Sequence, residues 1–231
     1  MRKTIVFTLL ILIAIPSFAS DDIPAPDEFN YLLIINKEHA LPEDYVPSDL
    51  RMLDVAFVNT ANADRMKMRE AAAEALERMF EAALRDGIAL VGISAYRSFR
   101  SQSEVYYRRG NQSKRDVYIA KPGHSEHQTG LAVDLGTKRS AVLSEAFAKS
   151  DEGIWVAENA HKFGFIIRYP KGAEAITGYR YEPWHIRYVG DAAEEIKRRE
   201  IPLETYLEDM DAQKKELKNF ARRQRSPFMG E

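Results

Sequence analysis

Residues 123–134, which read Gly-His-Ser-Glu-His-Gln-Thr-Gly-Leu-Ala-Val-Asp, constrain the fold more than any other part of the chain. Gly130 argues against a helix through this stretch, because an interior glycine destabilises a helix. The alternating residues after Gly130 predict a strand with one apolar and one polar face. Asp134 would lie on the polar face, and His127 would reach that face from the preceding turn. The apolar face would carry Leu131, Val133 and Leu135.

A second polar cluster, Glu182-Pro183-Trp184-His185, offers groups that could join the same site. Glu182 and His185 would face opposite ways on a regular strand, so Pro183 must mark a bend or the start of the strand. His127, Asp134 and His185 would then supply three nitrogen and oxygen ligands and leave a fourth position open, as in catalytic zinc sites. Glu182 could act as a general base beside them.

Spacing alone leaves a simpler interpretation open, since a histidine in a globular protein is more often a packed or surface residue than a ligand. His39 and His161 have no carboxylate or glycine-rich setting around them and are predicted to be such ordinary residues. His124 stays a possible ligand on composition alone. Arg97, taken alone, is typical of a surface or salt-bridging arginine.

The composition excludes several function classes. The 231 residues include 33 basic and 35 acidic side chains, and this balance argues against nucleic acid as a partner. The chain has no cysteine, which excludes a cysteine nucleophile and a thiolate metal site. Any zinc must therefore bind through nitrogen and oxygen, and the fold must be held by its core or by a metal.

Residues 1–19 have the pattern of an export signal. Arg2 and Lys3 precede an apolar run from residue 5 to residue 15, and Ser17 and Ala19 stand where a signal peptidase reads small residues. The run is short for a spanning helix, so we expect cleavage rather than an uncleaved anchor, and no stable membrane span afterwards. Residues 20–29 are acidic and contain proline, which is typical of a linker.

The rest of the chain predicts an α+β fold: a small, largely antiparallel sheet with helices packed around it in a single domain over residues 30–203. Residues 204–231 are predicted to form a charged C-terminal helical tail. Strands are predicted at 31–35, 55–58, 89–94, 131–135, 165–169 and 181–189. Helices are predicted at 63–85, 98–109, 140–150, 151–162, 191–199 and 203–222.

The residues from Ser125 to Asp134 match the SxHxxGxAxD motif of the VanY-type D-alanyl-D-alanine carboxypeptidases, and Glu182 to His185 match their ExxH motif. The resemblance covers about residues 30–200. Further matching segments lie at 94–98, 159–165, 168–170 and 176–179. The resemblance implies a single zinc peptidase domain with His127, Asp134 and His185 as ligands and Glu182 as the catalytic base; His124 is not a ligand in that family.

Further roles follow from the same resemblance. Arg97 would stabilise the oxyanion as water adds to the scissile carbonyl. Gln102, Ser125 and Tyr169 fall where the family holds the end of the peptide. The implied reaction is zinc-dependent hydrolysis of the terminal D-Ala-D-Ala bond of peptidoglycan stem peptides. The implied location is periplasmic or extracellular, in association with the cell wall.

Several alternatives stay open at this point. An L,D-carboxypeptidase acting on tetrapeptide stems, or a peptidoglycan endopeptidase, would use the same motifs. A non-catalytic wall-binding module is disfavoured, because both Glu182 and Arg97 are intact. The basic end of the tail, residues 222–225, either belongs to a solvated terminal helix or touches anionic wall polymer or lipid. The sequence does not predict an oligomeric state.

Overall fold

The computed structural model describes residues 30–108 and 117–225. The predicted signal peptide and linker, residues 1–29, lie outside this range. The main sheet has four antiparallel strands in the order β3-β4-β6-β5, and β1 and β2 form a separate antiparallel pair. The strands are β1 (Leu50–Met52), β2 (Lys67–Arg69), β3 (Leu90–Ser94), β4 (Ala132–Thr137), β5 (Phe165–Ile167) and β6 (His185–Tyr188).

Six α-helices surround the sheet in the described part of the chain, which confirms the predicted α+β class. Short 3₁₀ helices at Ala63–Met66, Glu126–Thr129, Glu145–Lys149 and Ala160–Phe163 connect other elements of the described residues. The α-helices are α1 (Glu70–Arg85), α2 (Phe99–Tyr107), α3 (Asp151–Asn159), α4 (Glu174–Thr177), α5 (Ala192–Arg199) and α6 (Leu203–Arg225). Among the described residues, no helix is both long and apolar enough to cross a membrane.

The main core lies between α1 and one face of the sheet. Leu131, Val133 and Leu135 are buried there, as the alternation after Gly130 predicts. They pack in one cluster with the stripe of α1, whose residues recur at the three- and four-residue spacing of a helix face. The buried residues of α1 are Ala72, Ala73, Ala75, Leu76, Met79 and Ala83.

The prediction of one continuous helix over residues 63–85 was wrong at its start. The side chain of Asn62 accepts a hydrogen bond from the backbone of Asp64 and begins a 3₁₀ turn, after which β2 pairs with β1. The backbone N–H of Arg69 donates to the carbonyl of Gly130, and the carbonyl of Lys67 accepts from Tyr96. These long-range backbone bonds replace the helical ones, so α1 begins only at Glu70.

The predicted strand at residues 31–35 is also absent. Residues 31 and 32 form a turn, residues 33–35 have no regular secondary structure, and Ile35 is buried. The guanidinium of Arg187, in β6, donates to the carbonyls of Tyr31 and Leu33 at 3.0 and 2.9 Å. A side chain therefore satisfies carbonyls that a neighbouring strand would otherwise have to satisfy.

Two further predictions need correction. The helix predicted at 140–150 is reduced to a 3₁₀ turn at residues 145–149, because Ser140 and Thr137 exchange backbone hydrogen bonds in a tight turn. The strand predicted at 55–58 consists of an isolated bridge between Phe57 and Gly92. The other predicted strands and helices are present, with shifts at their ends.

Candidate active site and metal centre

His127, Asp134 and His185 come together at the centre of the main sheet. The antiparallel register of β4 and β6 places Asp134 opposite His185, and the 3₁₀ turn before β4 carries His127. His127 Nε2 lies 3.2 Å from Asp134 Oδ2, and His185 Nδ1 lies 2.9 Å from Asp134 Oδ1. One ligand atom from each residue lies within 4.8 Å of the others, and all three side chains are buried. The structure thus brings the three predicted ligands together.

Gly130 makes this turn possible. Its φ of +69° is left-handed and ends the 3₁₀ helix two residues before β4 begins at Ala132. A Cβ at this position would also lie 2.8 Å from the side chain of Leu50 and 3.0 Å from that of Arg69. Glycine is therefore required both by the backbone conformation and by the space available.

Hydrogen bonds fix which nitrogen each histidine offers. His127 Nδ1 donates to the carbonyl of Ala95 at 2.7 Å, which leaves Nε2 directed at Asp134. His185 instead directs Nδ1 at Asp134. The two rings stand nearly perpendicular, with centroids 5.0 Å apart. Two imidazole nitrogens and one carboxylate form a donor set that suits zinc with an open coordination position.

The charges at this site are strongly perturbed. Burial alone would raise the pKa of Asp134, but His127 and His185 lower it well below its usual range. Burial lowers the pKa of His127. Burial would also lower the pKa of His185, but the carboxylates of Asp134 and Glu126 raise it to about 9. Both shifts favour an ionised carboxylate beside a charged imidazole in the metal-free site, and a divalent cation would take the place of the imidazole proton.

Glu182 stands beside the triad in a turn that leads into β6. The backbone N–H of His185 donates to the carbonyl of Glu182 at 3.1 Å, so the two residues share one turn, as the position of Pro183 predicts. The side chain of Glu182 is buried. Burial raises its pKa to about 8, with Asp134 adding to the rise and with His185 and Arg97 opposing it. A carboxyl group with a pKa near neutrality is suited to proton transfer.

Arg97 is held rigidly next to the triad. Its Nη2 lies 3.7 Å from Asp134 Oδ2 and donates to Ser94 Oγ at 3.2 Å, while Nη1 donates to Gln102 Oε1 at 2.8 Å. Its Nε is buried and makes no hydrogen bond within the described residues. The side chain of Gln102 also donates to the carbonyl of Ala120 at 2.6 Å. Gln102 therefore orients Arg97 from a fully buried position.

Tyr169 and Ser125 also border the site. The ring of Tyr169 stacks on the imidazole of His185, with centroids 5.1 Å apart and an angle of 24° between the planes. Tyr179 packs on the same tyrosine at 4.8 Å. Burial raises the pKa of Tyr169 well above its usual value, which keeps the phenol protonated. Ser125 is buried at the start of the 3₁₀ turn that carries His127.

The chain matches the family model described as VanY, D-alanyl-D-alanine carboxypeptidase, over residues 65–191. The chain belongs to the VanY family. A D-alanyl-D-alanine carboxypeptidase of Enterococcus faecium is 33% identical over 196 residues, which cover 79% of this chain and 59% of that relative. This chain therefore spans less than two thirds of the length of that curated relative.

Solved structures agree with this family assignment. The LdcB LD-carboxypeptidase is 44% identical with a TM-score of 0.73, and the match covers 78% of this chain and 86% of that one. A mutant of the vancomycin resistance D,D-pentapeptidase VanY, in complex with Zn(II), is 32% identical with a TM-score of 0.60, and the match covers 77% of this chain and 98% of that one. The solved structures that this chain resembles therefore include both an LD-carboxypeptidase and a D,D-pentapeptidase.

The remaining histidines lie apart from the triad. His124 Nδ1 hydrogen-bonds to the carbonyl of Asn36 at 2.7 Å. His39 Nδ1 lies 3.1 Å from the side-chain oxygen of Asn36. Neither of them, nor His161, belongs to the metal-ligating group found among the described residues.

Sequence reasoning missed a cluster of buried charges behind His185. Glu126 and Arg168 lie inside VanY-type segments, but the sequence patterns predict no role for either residue. Arg187 and Glu204 complete the cluster. The available signal was the presence of Glu126 in the motif, of Arg168 directly after the apolar strand β5 and of Arg187 within β6, since an unpaired charge buried at such positions would be strongly destabilising.

Proposed function

We propose that this VanY-family protein is a zinc-dependent carboxypeptidase that removes the C-terminal D-alanine of peptidoglycan stem peptides, with the D-alanyl-D-alanine bond as its substrate. The observation that carries the proposal is the buried triad of His127, Asp134 and His185 with the carboxyl group of Glu182 beside it. The Zn(II) in the VanY relative and the donor set of this chain both support zinc.

His127 Nε2, Asp134 and His185 Nδ1 would hold the metal. When bound, zinc would polarise the scissile carbonyl and lower the pKa of a water molecule in the fourth position. The chemistry that remains for the chain is to move protons, to stabilise negative charge and to hold the peptide.

Glu182 is assigned the proton transfers. Its carboxylate would accept a proton from the attacking water and pass it to the amine of the leaving D-alanine. Burial raises the pKa of Glu182, so the neutral acid is accessible after the first transfer. A nearby divalent cation favours the ionised form of Glu182, which is the form that accepts the first proton.

Arg97 is assigned the stabilisation of the oxyanion. Ser94 and Gln102 fix its guanidinium, and its buried Nε has no partner within the described residues, so a donor remains for a substrate oxygen. Preorganised donors of this kind act strongly in a site that excludes water. We further assign Ser125, with Arg97, to the terminal carboxylate of the peptide, and we assign Tyr169 and Gln102 to shaping the pocket around it.

The protein would act outside the cytoplasmic membrane, in the periplasm or in association with the cell wall. The signal-like residues 1–19 support this location, because the peptidoglycan substrate lies there. The proposed binding partner is the stem peptide. The balance of basic and acidic residues argues against nucleic acid as a partner.

A second candidate, L,D-carboxypeptidase activity on tetrapeptide stems, is favoured by one observation. The LdcB LD-carboxypeptidase is 44% identical to this chain, against 32% for the D,D-pentapeptidase. The two activities share the same metal and base, and they differ in the residue that precedes the released D-alanine.

The experiment offers pentapeptide and tetrapeptide stems separately to purified, zinc-loaded protein and follows loss of one alanine by mass spectrometry. Loss from the pentapeptide is the expected result, and loss from the tetrapeptide alone would assign the L,D activity. Cleavage of a stem whose C-terminus is blocked would indicate an endopeptidase instead. Glu182→Gln serves as the matched control: it should retain zinc and release no alanine. Zinc binding without hydrolysis by the wild type would indicate a wall-binding module.

A further inference from the structure

Three buried charged side chains and the partly buried Glu204 form a chain of ion pairs that ends at His185. Arg168 Nε donates to Glu126 Oε1 at 2.7 Å, and Arg187 Nη1 lies 2.7 Å from the same oxygen. Arg168 also donates two hydrogen bonds to Glu204, at 2.9 and 2.6 Å. The side chains of Glu126, Arg168 and Arg187 are fully buried, and that of Glu204 is 10% exposed.

Stability alone is a poor reason for such a cluster. Removing charges from water is so unfavourable that well-packed apolar residues often serve a fold as well as a buried ion pair does. The two carboxylates and two guanidiniums balance in charge, yet their hydrogen bonds are unevenly shared. Both arginines approach Oε1 of Glu126, and this leaves its Oε2 for another partner.

The imidazole of His185 lies near this oxygen, at ion-pair rather than hydrogen-bond distance. Oε2 of Glu126 and Nε2 of His185 are both buried, neither makes a hydrogen bond within residues 30–108 and 117–225, and they lie 3.8 Å apart. The opposite nitrogen of the same ring, Nδ1, is the one directed at Asp134. The imidazole is therefore placed between the carboxylate of the triad and a second carboxylate that does not belong to the metal-ligating group.

We propose that Glu126 is a positioning residue that keeps the proton of neutral His185 on Nε2 and leaves Nδ1 for the metal, and that Glu204 keeps Glu126 in place through Arg168. The inference rests on the proposed function, since it concerns the zinc site of that function. A carboxylate behind a ligating histidine fixes its tautomer and orientation and makes it a better ligand, and losing such a group typically weakens metal binding about 10- to 100-fold.

The role of Glu204 connects the first turn of α6 to the metal site. Helix α6 begins at Leu203, whose side chain is buried with Val189, Ala193 and Ile196. The family match ends at residue 191, so this contact comes from a part of the chain beyond it. The bidentate pair with Arg168 holds both guanidinium Nη atoms, which leaves Nε for Glu126. The sequence places Glu204 at the start of a solvated tail, whereas its side chain completes the support of His185.

The test measures zinc affinity by competition with a chromophoric chelator, in the full chain, for Glu126→Gln and Glu204→Gln. The matched control is Asp209→Asn, which also exchanges an acid for its amide on α6 but pairs with Arg199 outside the cluster. We expect about 10- to 100-fold weaker zinc binding for Glu126→Gln, a smaller loss for Glu204→Gln and no change for Asp209→Asn. Circular dichroism of the zinc-free proteins verifies that each variant is folded.

A spectroscopic readout separates positioning from a general loss of structure. In the cobalt-substituted protein, Glu126→Gln should shift the visible bands that report the ligand field, and Asp209→Asn should not. A folded Glu126→Gln variant with wild-type zinc affinity and an unchanged cobalt spectrum would overturn the inference and leave the proposed function standing. A wild-type protein that binds no zinc would overturn both. If Glu126→Gln does not fold, unchanged zinc affinity in Glu204→Gln overturns the coupling to α6.

Discussion

Glu182→Gln should stabilise the zinc-free protein, although it should abolish the proposed activity. Burial of Glu182 raises the pKa of its carboxyl group from an ordinary 4.5 to about 8. Between these two values the native state retains a proton that the unfolded chain has released. The free energy of unfolding therefore falls as the pH rises through this window. Glutamine has the same shape without the charge, so the free energy of unfolding of the variant should not fall in this way.

The magnitude follows from the pKa difference. Each pH unit inside the window corresponds to about 1.4 kcal/mol, so a carboxyl group shifted from 4.5 to about 8 destabilises the native state by roughly 3 kcal/mol at pH 7 and by less than about 1 kcal/mol at pH 5. Three groups face this carboxyl: Asp134 increases the penalty, and His185 and Arg97 reduce it. A cation in the triad would reduce it further, because it favours the ionised carboxylate.

The assay is urea unfolding of chelator-treated wild type and Glu182→Gln at pH 5 and pH 7, followed by the fluorescence of Trp155 and Trp184. The variant should be more stable by about 2–4 kcal/mol at pH 7, and the difference should fall below about 1 kcal/mol at pH 5. Zinc should reduce the difference in stability between the variant and the wild type at pH 7. A variant that is no more stable than the wild type at either pH would refute the claim that the buried carboxylate destabilises the metal-free protein.

Three further predictions concern other parts of the fold. Glu77→Gln should lower stability by about 1–2 kcal/mol at pH 7, because Arg51 and the backbone of Asp54 donate three hydrogen bonds to this carboxylate. The hydrogen bonds from Arg51 lower the pKa of Glu77, so in pH-dependent urea unfolding this loss should shrink as the pH falls through the lowered pKa, opposite in sign to Glu182. Gly153→Ala should destabilise by about 3 kcal/mol or more in the same assay, because a Cβ would lie 1.9 Å from the carbonyl oxygen of Phe147; wild-type stability would contradict the packing. Arg97→Lys should retain zinc but lower kcat/KM for alanine release about 10²- to 10³-fold, because lysine keeps the charge without the guanidinium fork; an unchanged kcat/KM would contradict the oxyanion role.

The sequence correctly predicts that His127, Asp134 and His185 lie together, because the position of each depends largely on local rules. Gly130 and the alternation after it determine where a strand begins and which face Asp134 occupies. Pro183 separates Glu182 from the strand that carries His185. The register of two antiparallel strands then needs only to pair Asp134 with His185 for the site to form. The first two of these steps are visible within a few residues of the motifs, whereas the pairing of the two strands is long-range.

The errors occur where a distant partner replaces a local one. Residues 31–35 have the composition of a strand, but the guanidinium of Arg187, more than 150 positions away, donates hydrogen bonds to two of their carbonyls. Residues 67–69 lie in a stretch with helical periodicity, but their backbone bonds go to Gly130 and Tyr96. No periodicity within a short window contains such information, because the competing hydrogen bond is defined only after the chain has folded.

Glu126 and Glu182 show two ways in which this fold places a carboxylate in its interior. Glu126 shares one oxygen with two guanidiniums, and their charges lower its pKa well below the usual range, so it stays ionised. Glu182 has no such ion pair among the described residues, and burial therefore raises its pKa towards neutrality. A carboxylate that must only orient a ligand benefits from a permanent charge, whereas one that must accept and release a proton benefits from a pKa near the working pH. The environments of the two residues thus agree with the separate roles proposed for them, even though both carboxylates lie close to the same histidine.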